Sequence, residues 1–280
     1  MNPPVPACPP EARSAALETA VLAAREAGGI LRTIRTRGDC AVLRTDAHDV
    51  KLEADVRAEQ AITSLIRQRH PDDGIVAEES GGENTARPGV WIVDPLDGTV
   101  NFAHGNPHFS TSIAWAWEGI VQVGVIYDPL RDELYTAVRG SGASCNGAAI
   151  RVAETARVSE AMIAVGIAAF STDTMTPGAF ARLAAAARKV RVTGSAALDL
   201  AFVASGRMDG YYEPRVYIWD LAAGTLLIEE AGGTACMWRG RAPFQRACLA
   251  ATPGVFAELP AYFGVEVNDC ARTCLDDNAD

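Results

Sequence analysis

"WIVDPLDGTVNF", residues 91–102, is apolar for three positions and then sets two acids, Asp94 and Asp97, around Pro95 and Leu96 ahead of Gly98 and Thr99. Proline, aspartate and glycine each favour turns for a separate backbone reason, so the stretch alone reads as a strand entering a turn and then a helix. A strand that is apolar to its last residue stops where the backbone leaves the core, and an acid at that stop faces solvent or a cleft. Other acids stand at similar stops: Asp55, the pair Glu78 and Glu79 after "GIVA", and Asp220 in "YIWDLAAG". Each has an ordinary reading, respectively a solvated helix residue, a charged loop and a helix N-cap. Facing one cleft, they would repel and shift one another's pKa unless a cation neutralised them. An all-oxygen set of this kind suits Mg²⁺ and not zinc.

Outward from this stretch, the pattern sets up two halves. Apolar residues Leu17, Val21, Ala24, Leu31 and Ile34 recur at helical spacing, which predicts a helix from Ser14, as N-cap, to about Arg37. Residues 38–49 read as an irregular polar loop, and a second helix is expected from about Glu53 to Arg69, stopped by Pro71. "GIVAEES" and "GVWIVD" read as buried strands, residues 109–138 as an antiparallel meander, and "RGSGASCNGAAI" as a hairpin without dinucleotide-site spacing. After about Glu154 strands and helices alternate: strand "MIAVGI", helix 177–188, strand "KVRVT", helix 195–205, strand "MDGYYE", helix 219–231, strand "ACLAAT" and helix 254–263. The expected organisation is a disordered tail 1–13, an α+β half 14–153 with most of the acids, an α/β half 154–266, and an acidic tail 267–280.

With 280 residues, 49% hydrophobic and 21% charged, the chain can bury a large core, and its longest apolar run, "AMIAVGIAAF" at 161–170, is too short to span a membrane. A formal charge of -10 argues against nonspecific nucleic-acid binding. The start lacks the basic and apolar blocks of a secretory leader, so the cytoplasm is the expected compartment. Seven scattered cysteines read as small buried hydrophobes in a reducing compartment, with no zinc spacing among them or the four histidines.

"WIVDPLDGTVNF", with "EES" upstream and "WDLAAGTLLIEEAGG" downstream, resembles the inositol monophosphatase family of Mg²⁺-dependent, lithium-sensitive phosphatases, over about residues 14–255. The resemblance implies a layered αβαβα sandwich of the sugar phosphatase type. It implies one Mg²⁺ on Glu78, Asp94 and the Leu96 carbonyl, a second on Asp94, Asp97 and Asp220, and a third, looser ion held partly by Glu78 through water. Two such ions can clamp the attacking and leaving oxygens of an in-line phosphoryl displacement. Glu78, Thr99 and Asp55 carry the implied catalytic roles, with Thr99 and Asp55 positioning and deprotonating the water. Substrate contacts fall on Leu96, Asp97, Gly98, Thr99, Gly194, Ser195, Ala196, Glu213 and Asp220, with Gly98 and Thr99 offering backbone N–H groups at a helix start and Glu213 binding hydroxyls. One departure is "DVKLEAD", where the family commonly has a valine-threonine step before the acid matching Asp55. The implied partner is a small phosphate ester, the implied assembly a homodimer, and neither nucleic acid nor membrane is expected.

The expected activity is hydrolysis of a small sugar or cyclitol monophosphate by metal-activated water. 3′-Phosphoadenosine, fructose bisphosphate and histidinol phosphate are rival substrates on the same fold. "LDGT" also evokes haloacid dehalogenase-type phosphatases, but those need D-x-D and a later lysine, whereas here the spacing is D-x-x-D and the only lysines are Lys51 and Lys189. A non-catalytic binding module is the remaining alternative.

Overall fold

Two sheets carry the architecture of the chain, seen in a computed structural model that describes residues 8–38, 41–45, 50–167, 176–267 and 270. The larger sheet runs in the order Ala148–Ala149, Gly142–Cys145, Glu133–Val138, Ile120–Asp128, Ser110–Trp117, Gly89–Asp97, Gly74–Ala77, Gly81–Glu83. All its neighbours are antiparallel except Gly74–Ala77 beside Gly89–Asp97. The smaller sheet runs Lys189–Arg191, Met162–Val165, Gly210–Tyr217, Gln245–Ala251, Thr234–Arg239, its first two pairings parallel and its last two antiparallel.

Helices separate and cover these sheets. Pro10–Arg37 and Glu53–Arg69 lie on the outer face of the large sheet, and Ala196–Ala204 and Ile218–Glu230 fill the space between the sheets. Pro177–Ala186, Pro253–Glu258 and Pro260–Phe263 back the small sheet, so the order of layers is αβαβα. Three apolar clusters hold the five layers together. The strand Gly89–Asp97 feeds two of them, with Trp91 and Val93 packing toward the outer helices and Val90 and Ile92 toward the central ones. Period-two alternation with both faces covered is why this strand is apolar at every position before Asp94.

Several boundaries differ from the sequence reading. The first helix starts at Pro10, not Ser14; Pro9 precedes it, proline sits in its first turn, and the Ser14 hydroxyl donates to the Pro10 carbonyl within the helix. Proline at the first helical positions gives up an N–H that would have had no partner there, so the helix extends into the stretch assigned to the tail. Part of the 38–50 stretch forms a hairpin, Val42–Thr45 against Val50–Leu52, while residues 39–40 and 46–49 lie outside the described residues. The strands Gly81–Glu83 and Thr234–Arg239 went unread: the first is short and glycine-rich, and the second is only partly buried and so lacks a clean apolar alternation. The last helix is two, broken at Leu259 ahead of Pro260. The cysteine reading fails at one pair, since Cys236 and Cys270 form a disulfide that ties the C-terminal segment to the strand Thr234–Arg239. Sequence proximity gave no sign of it, as 34 positions separate them. Cys248 is buried as expected, whereas Cys8 and Cys145 are half-buried. Among the described residues no helix is long and apolar enough to cross a membrane.

Candidate active site

Strict alternation would send Asp94 and Asp97 to opposite faces of their strand, because they are an odd number of positions apart. The pairing with Ser110–Trp117 shows how this is avoided. Asp94 faces Ser112 and Asp97 faces Ser110, so three steps on one strand oppose two on the other, and this bulge returns both acids to one face. Leu96 goes to the outer-helix core with Trp91 and Val93. Two local bonds fix the bulge: the Leu96 N–H donates to Asp94 Oδ1 at 3.0 Å, and the Thr111 hydroxyl donates to the Pro95 carbonyl at 3.0 Å. Gly98 follows at φ 93°, a left-handed backbone that suits glycine. A Cβ there would lie 2.9 Å from the His108 carbonyl, so the position is closed twice over.

Asp55 and Asp220 come from helix starts and are held alike. Each is the third residue of its helix, and one carboxylate oxygen reaches back to the backbone N–H just before the helix: Leu52 to Asp55 Oδ2 at 2.7 Å, Tyr217 to Asp220 Oδ2 at 2.8 Å. Asp220 is thus not itself the N-cap its sequence position suggested; it is the side chain that satisfies the capping residue's amide. The Ser112 hydroxyl, one strand from Asp94, donates to the Trp219 carbonyl at 3.0 Å and anchors that helix start to the sheet. Asp94, Asp97 and Asp220 then each bring an oxygen within 4.8 Å of the others.

The electrostatics are costly without a cation. Asp94 is fully buried, its Oδ2 has no hydrogen-bond partner, and desolvation followed by the charges of Glu78, Asp220 and Asp97 pushes its pKa up. Glu78 is raised in the same way, by burial and then by Asp220, Asp55 and Glu79. Asp97 is raised by burial and by Asp220, against the donors it accepts from: the Ser195 hydroxyl and the Ala196 and Ala197 amides, at 3.2 and 2.8 Å, opening the helix Ala196–Ala204. A buried carboxylate oxygen without a donor, among acids that raise one another, fits a hard divalent cation such as Mg²⁺. Asp94, Asp97 and Asp220, whose oxygens lie within 4.8 Å of one another, could hold such an ion, and Glu78 and Leu96 line one cavity with them. Thr99 points its hydroxyl at the Leu96 carbonyl, 2.9 Å away, and at Asp55 Oδ1, 3.2 Å away. Burial, above all, lifts Asp55 to about 7.

A cavity of about 480 Å³ opens over this floor. Glu78, Asp94, Leu96, Asp97, Gly98, Thr99, Gly194, Ser195, Ala196, Glu213 and Asp220 all line it, and Asp55 stands behind Thr99. Glu213 lies within the strand Gly210–Tyr217 and accepts from the Tyr211 hydroxyl. Desolvation chiefly, with the charges of Asp220 and Asp97, lifts Glu213 to about 8.

Sequence reasoning passed over several neighbours. The Asn101 side-chain amide donates to the His108 and Thr193 carbonyls at 2.7 and 2.8 Å, which ties the opening stretch to the loop before Ser195. Asp199, buried on the cavity wall, accepts from Thr193 and meets His108 Nε2 at 3.3 Å. Asn101 stands in the quoted motif and Asp199 in "ALDLAF", an acid in an apolar run, which was the available signal. Tyr211 stands two positions before Glu213 in the strand read as "MDGYYE", so both share a face, and that spacing was the available signal for the donor.

Similar sequences and folds occur among known proteins. A family model described as the inositol monophosphatase family matches residues 13–262. The Nus factor SuhB of Pasteurella multocida is 40% identical over 250 residues, covering 87% of this chain and 93% of that protein. Among solved structures, extragenic suppressor protein suhB from Bartonella henselae superposes with a TM-score of 0.80 at 35% identity, covering 88% of this chain and 97% of that one. The inositol monophosphatase from Anabaena (Nostoc) sp. PCC 7120 does so with a TM-score of 0.77 at 35% identity, covering 90% and 96%. With its αβαβα layers, the motifs at Glu78, Asp94 and Asp220, and a family match across nearly its whole length, this chain belongs to the inositol monophosphatase family.

Proposed function

We propose that the chain is a Mg²⁺-dependent phosphatase acting on a small sugar or cyclitol monophosphate. The observation that carries the proposal is the buried Asp94 Oδ2, which lacks a hydrogen-bond donor and lies beside Asp97 and Asp220 on the floor of an open cavity. Glu78, Asp94, Asp97, Asp220 and the Leu96 carbonyl would hold the ions. When bound, Mg²⁺ supplies positive charge to the phosphoryl oxygens and lowers the pKa of water. The chain's own groups do the rest. The Thr99 hydroxyl can take a proton from an attacking water while passing its own to Asp55, whose burial keeps it a ready acceptor near neutral pH. Gly98, without a side chain, lets a phosphate approach the backbone. Glu213, across the cavity, accepts hydrogen bonds from substrate hydroxyls.

Phosphate release from inositol 1-phosphate, 3′-phosphoadenosine, fructose bisphosphate and histidinol phosphate, with and without Mg²⁺, tests this. Turnover of inositol 1-phosphate only with Mg²⁺ is expected; none on any ester would overturn the reading and leave a binding module. Homodimer formation and lithium inhibition belong to the same proposal, checked by light scattering and by inhibition with LiCl.

The names of the relatives favour a second role. Proteins called Nus factor SuhB are 36–43% identical to this chain, which points to a protein partner in the transcription machinery. A partner of this kind is compatible with a charge of -10, which opposes only direct nonspecific contact with nucleic acid. Calorimetry between the purified chain and transcription-elongation proteins tests it, and binding that survives Asp94→Asn would separate it from catalysis.

A further inference from the structure

Behind Asp55 and Glu78, outside the residues that line the cavity, stand two more acids. Glu59 is buried on the inner side of the helix Glu53–Arg69, and its Oε2 accepts the backbone N–H of Glu79 at 2.8 Å. Glu79, only 12% exposed, adds its charge to those that raise Asp55 and Glu78. The ammonium of Lys51, in the short strand Val50–Leu52, makes a direct ion pair with Glu79 Oε2. Its charge is also held by Glu59 and Asp55. Exposed ion pairs contribute little, but this one meets a largely covered carboxylate inside a field of like-charged acids, where screening by water is weaker.

A divalent ion and an ammonium group compete for the same carboxylate oxygen. We propose that Lys51 is a resident monovalent cation that caps this acidic cluster at Glu79 and so limits how many divalent ions the site holds, or how tightly it holds the weakest of them. The inference rests on the Mg²⁺ reading above. It assigns a role to a lysine that takes no part in phosphoryl transfer. The neutralised Glu79 leaves Glu78 and the three aspartates as the acids that recruit metal, and an ion arriving at the Glu79 edge must either displace the ammonium or sit beside it.

The test counts ions in the full chain without substrate, using Mn²⁺ followed by electron paramagnetic resonance and Mg²⁺ followed by calorimetry. Lys51→Met is expected to bind one more ion than the wild type, or to tighten the weakest site about tenfold. Lys51→Arg keeps the charge and should match the wild type. In a Glu79→Gln background, Lys51→Met should add no further ion, because the contested carboxylate is gone, and should only undo the weakening that the unneutralised ammonium causes there. If Lys51→Met does not fold, Glu79→Gln alone carries the test: it leaves the ammonium unneutralised and should weaken the last ion about tenfold. Matching isotherms for wild type and Lys51→Met, or for wild type and Glu79→Gln, would overturn the inference while leaving the metal site standing. Equal behaviour of the Met and Arg variants would do the same. No ion bound by the wild type at all would overturn both readings, whereas bound ions without phosphatase activity would overturn only the enzymatic one.

Discussion

At the scale of single residues, Asp94 and Glu213 divide the site between metal and substrate. Asp94 offers both ions an oxygen in the proposed arrangement, so Asp94→Asn should lower kcat by about 10² to 10³, the cost of losing one preorganised electrostatic group. The same change removes a buried charge that its neighbours repel, so the metal-free protein should melt higher than the metal-free wild type. Phosphate release and thermal melts with and without Mg²⁺ check the two signs together. Glu213 is an expected hydroxyl acceptor, charged once bound cations offset the Asp220 and Asp97 charges that help raise it, and hydrogen bonds to a charged group contribute about 1.5–3 kcal/mol, or about 10- to 150-fold in rate. Glu213→Gln should lower kcat/KM for inositol 1-phosphate by that factor and barely alter p-nitrophenyl phosphate, which has no hydroxyls to bind. Tyr211→Phe, which frees the Glu213 carboxylate, should move the same ratio in the same direction by a smaller amount. Gly166 leaves the carboxylate its place: a Cβ there would fall 1.9 Å from Glu213 Cδ, so Gly166→Ala must push Glu213 aside.

At the scale of elements, the site is a meeting of ends: two helix starts, one bulged strand and one loop each deliver an acid into a space from which water is partly excluded. This has a consequence for stability. Folding raises the pKa of Asp55, Glu78, Asp94 and Asp97 above their unfolded values of about 4, Asp55 to about 7. Between those limits the metal-free folded chain binds more protons than the unfolded one, so its stability falls as pH rises through that window. Melting temperature without divalent ions should therefore be higher at about pH 5 than at about pH 8, and saturating Mg²⁺ should flatten or reverse the slope. A metal-free melting temperature that rises with pH would mean that these carboxylates are better satisfied by their hydrogen bonds than their burial implies.

At the scale of the whole molecule, the floor of the site belongs to the large sheet, while Ser195, Glu213 and Asp220 come from the later part of the chain. The middle apolar cluster is shared between Val76, Ile92 and Ile126 on one side and Leu200, Leu227 and Tyr211 on the other. We propose that segments 14–153 and 154–266 behave as halves of one unit; circular dichroism of either alone should show loss of cooperative melting. Asn101 is one of the stitches that cross between them at the site, beside the Ala196 and Ala197 amides on Asp97 and the Ser112 hydroxyl on the Trp219 carbonyl. Asn101→Ala would leave the Thr193 and His108 carbonyls without their donor, at about 1–3 kcal/mol. A lower melting temperature with a raised KM is expected, since the loop carrying Gly194 and Ser195 would lose its position relative to Gly98. An unchanged KM would return Asn101 to a purely structural role.

What the sequence determined by itself was the periodic part. The apolar run 90–93, the helix Glu53–Arg69 and the acid-terminated strands were legible because burial on both faces, or on one stripe, imposes a spacing that local chemistry can meet. Asp94, Asp97 and Asp220 each had an ordinary reading alone, and were singled out because several acids stand at the ends of apolar elements and their motifs resemble a known family's. The tertiary structure decided what depends on register and on distant partners. Only the pairing with Ser110–Trp117 shows the bulge that puts Asp94 and Asp97 on one face, since a strand's own residues do not state which neighbour they skip. Only packing brings Lys51 onto Glu79 and Cys270 to Cys236. Each of those contacts joins side chains whose local sequence is equally content in solvent, so their energy exists only once the layers have closed.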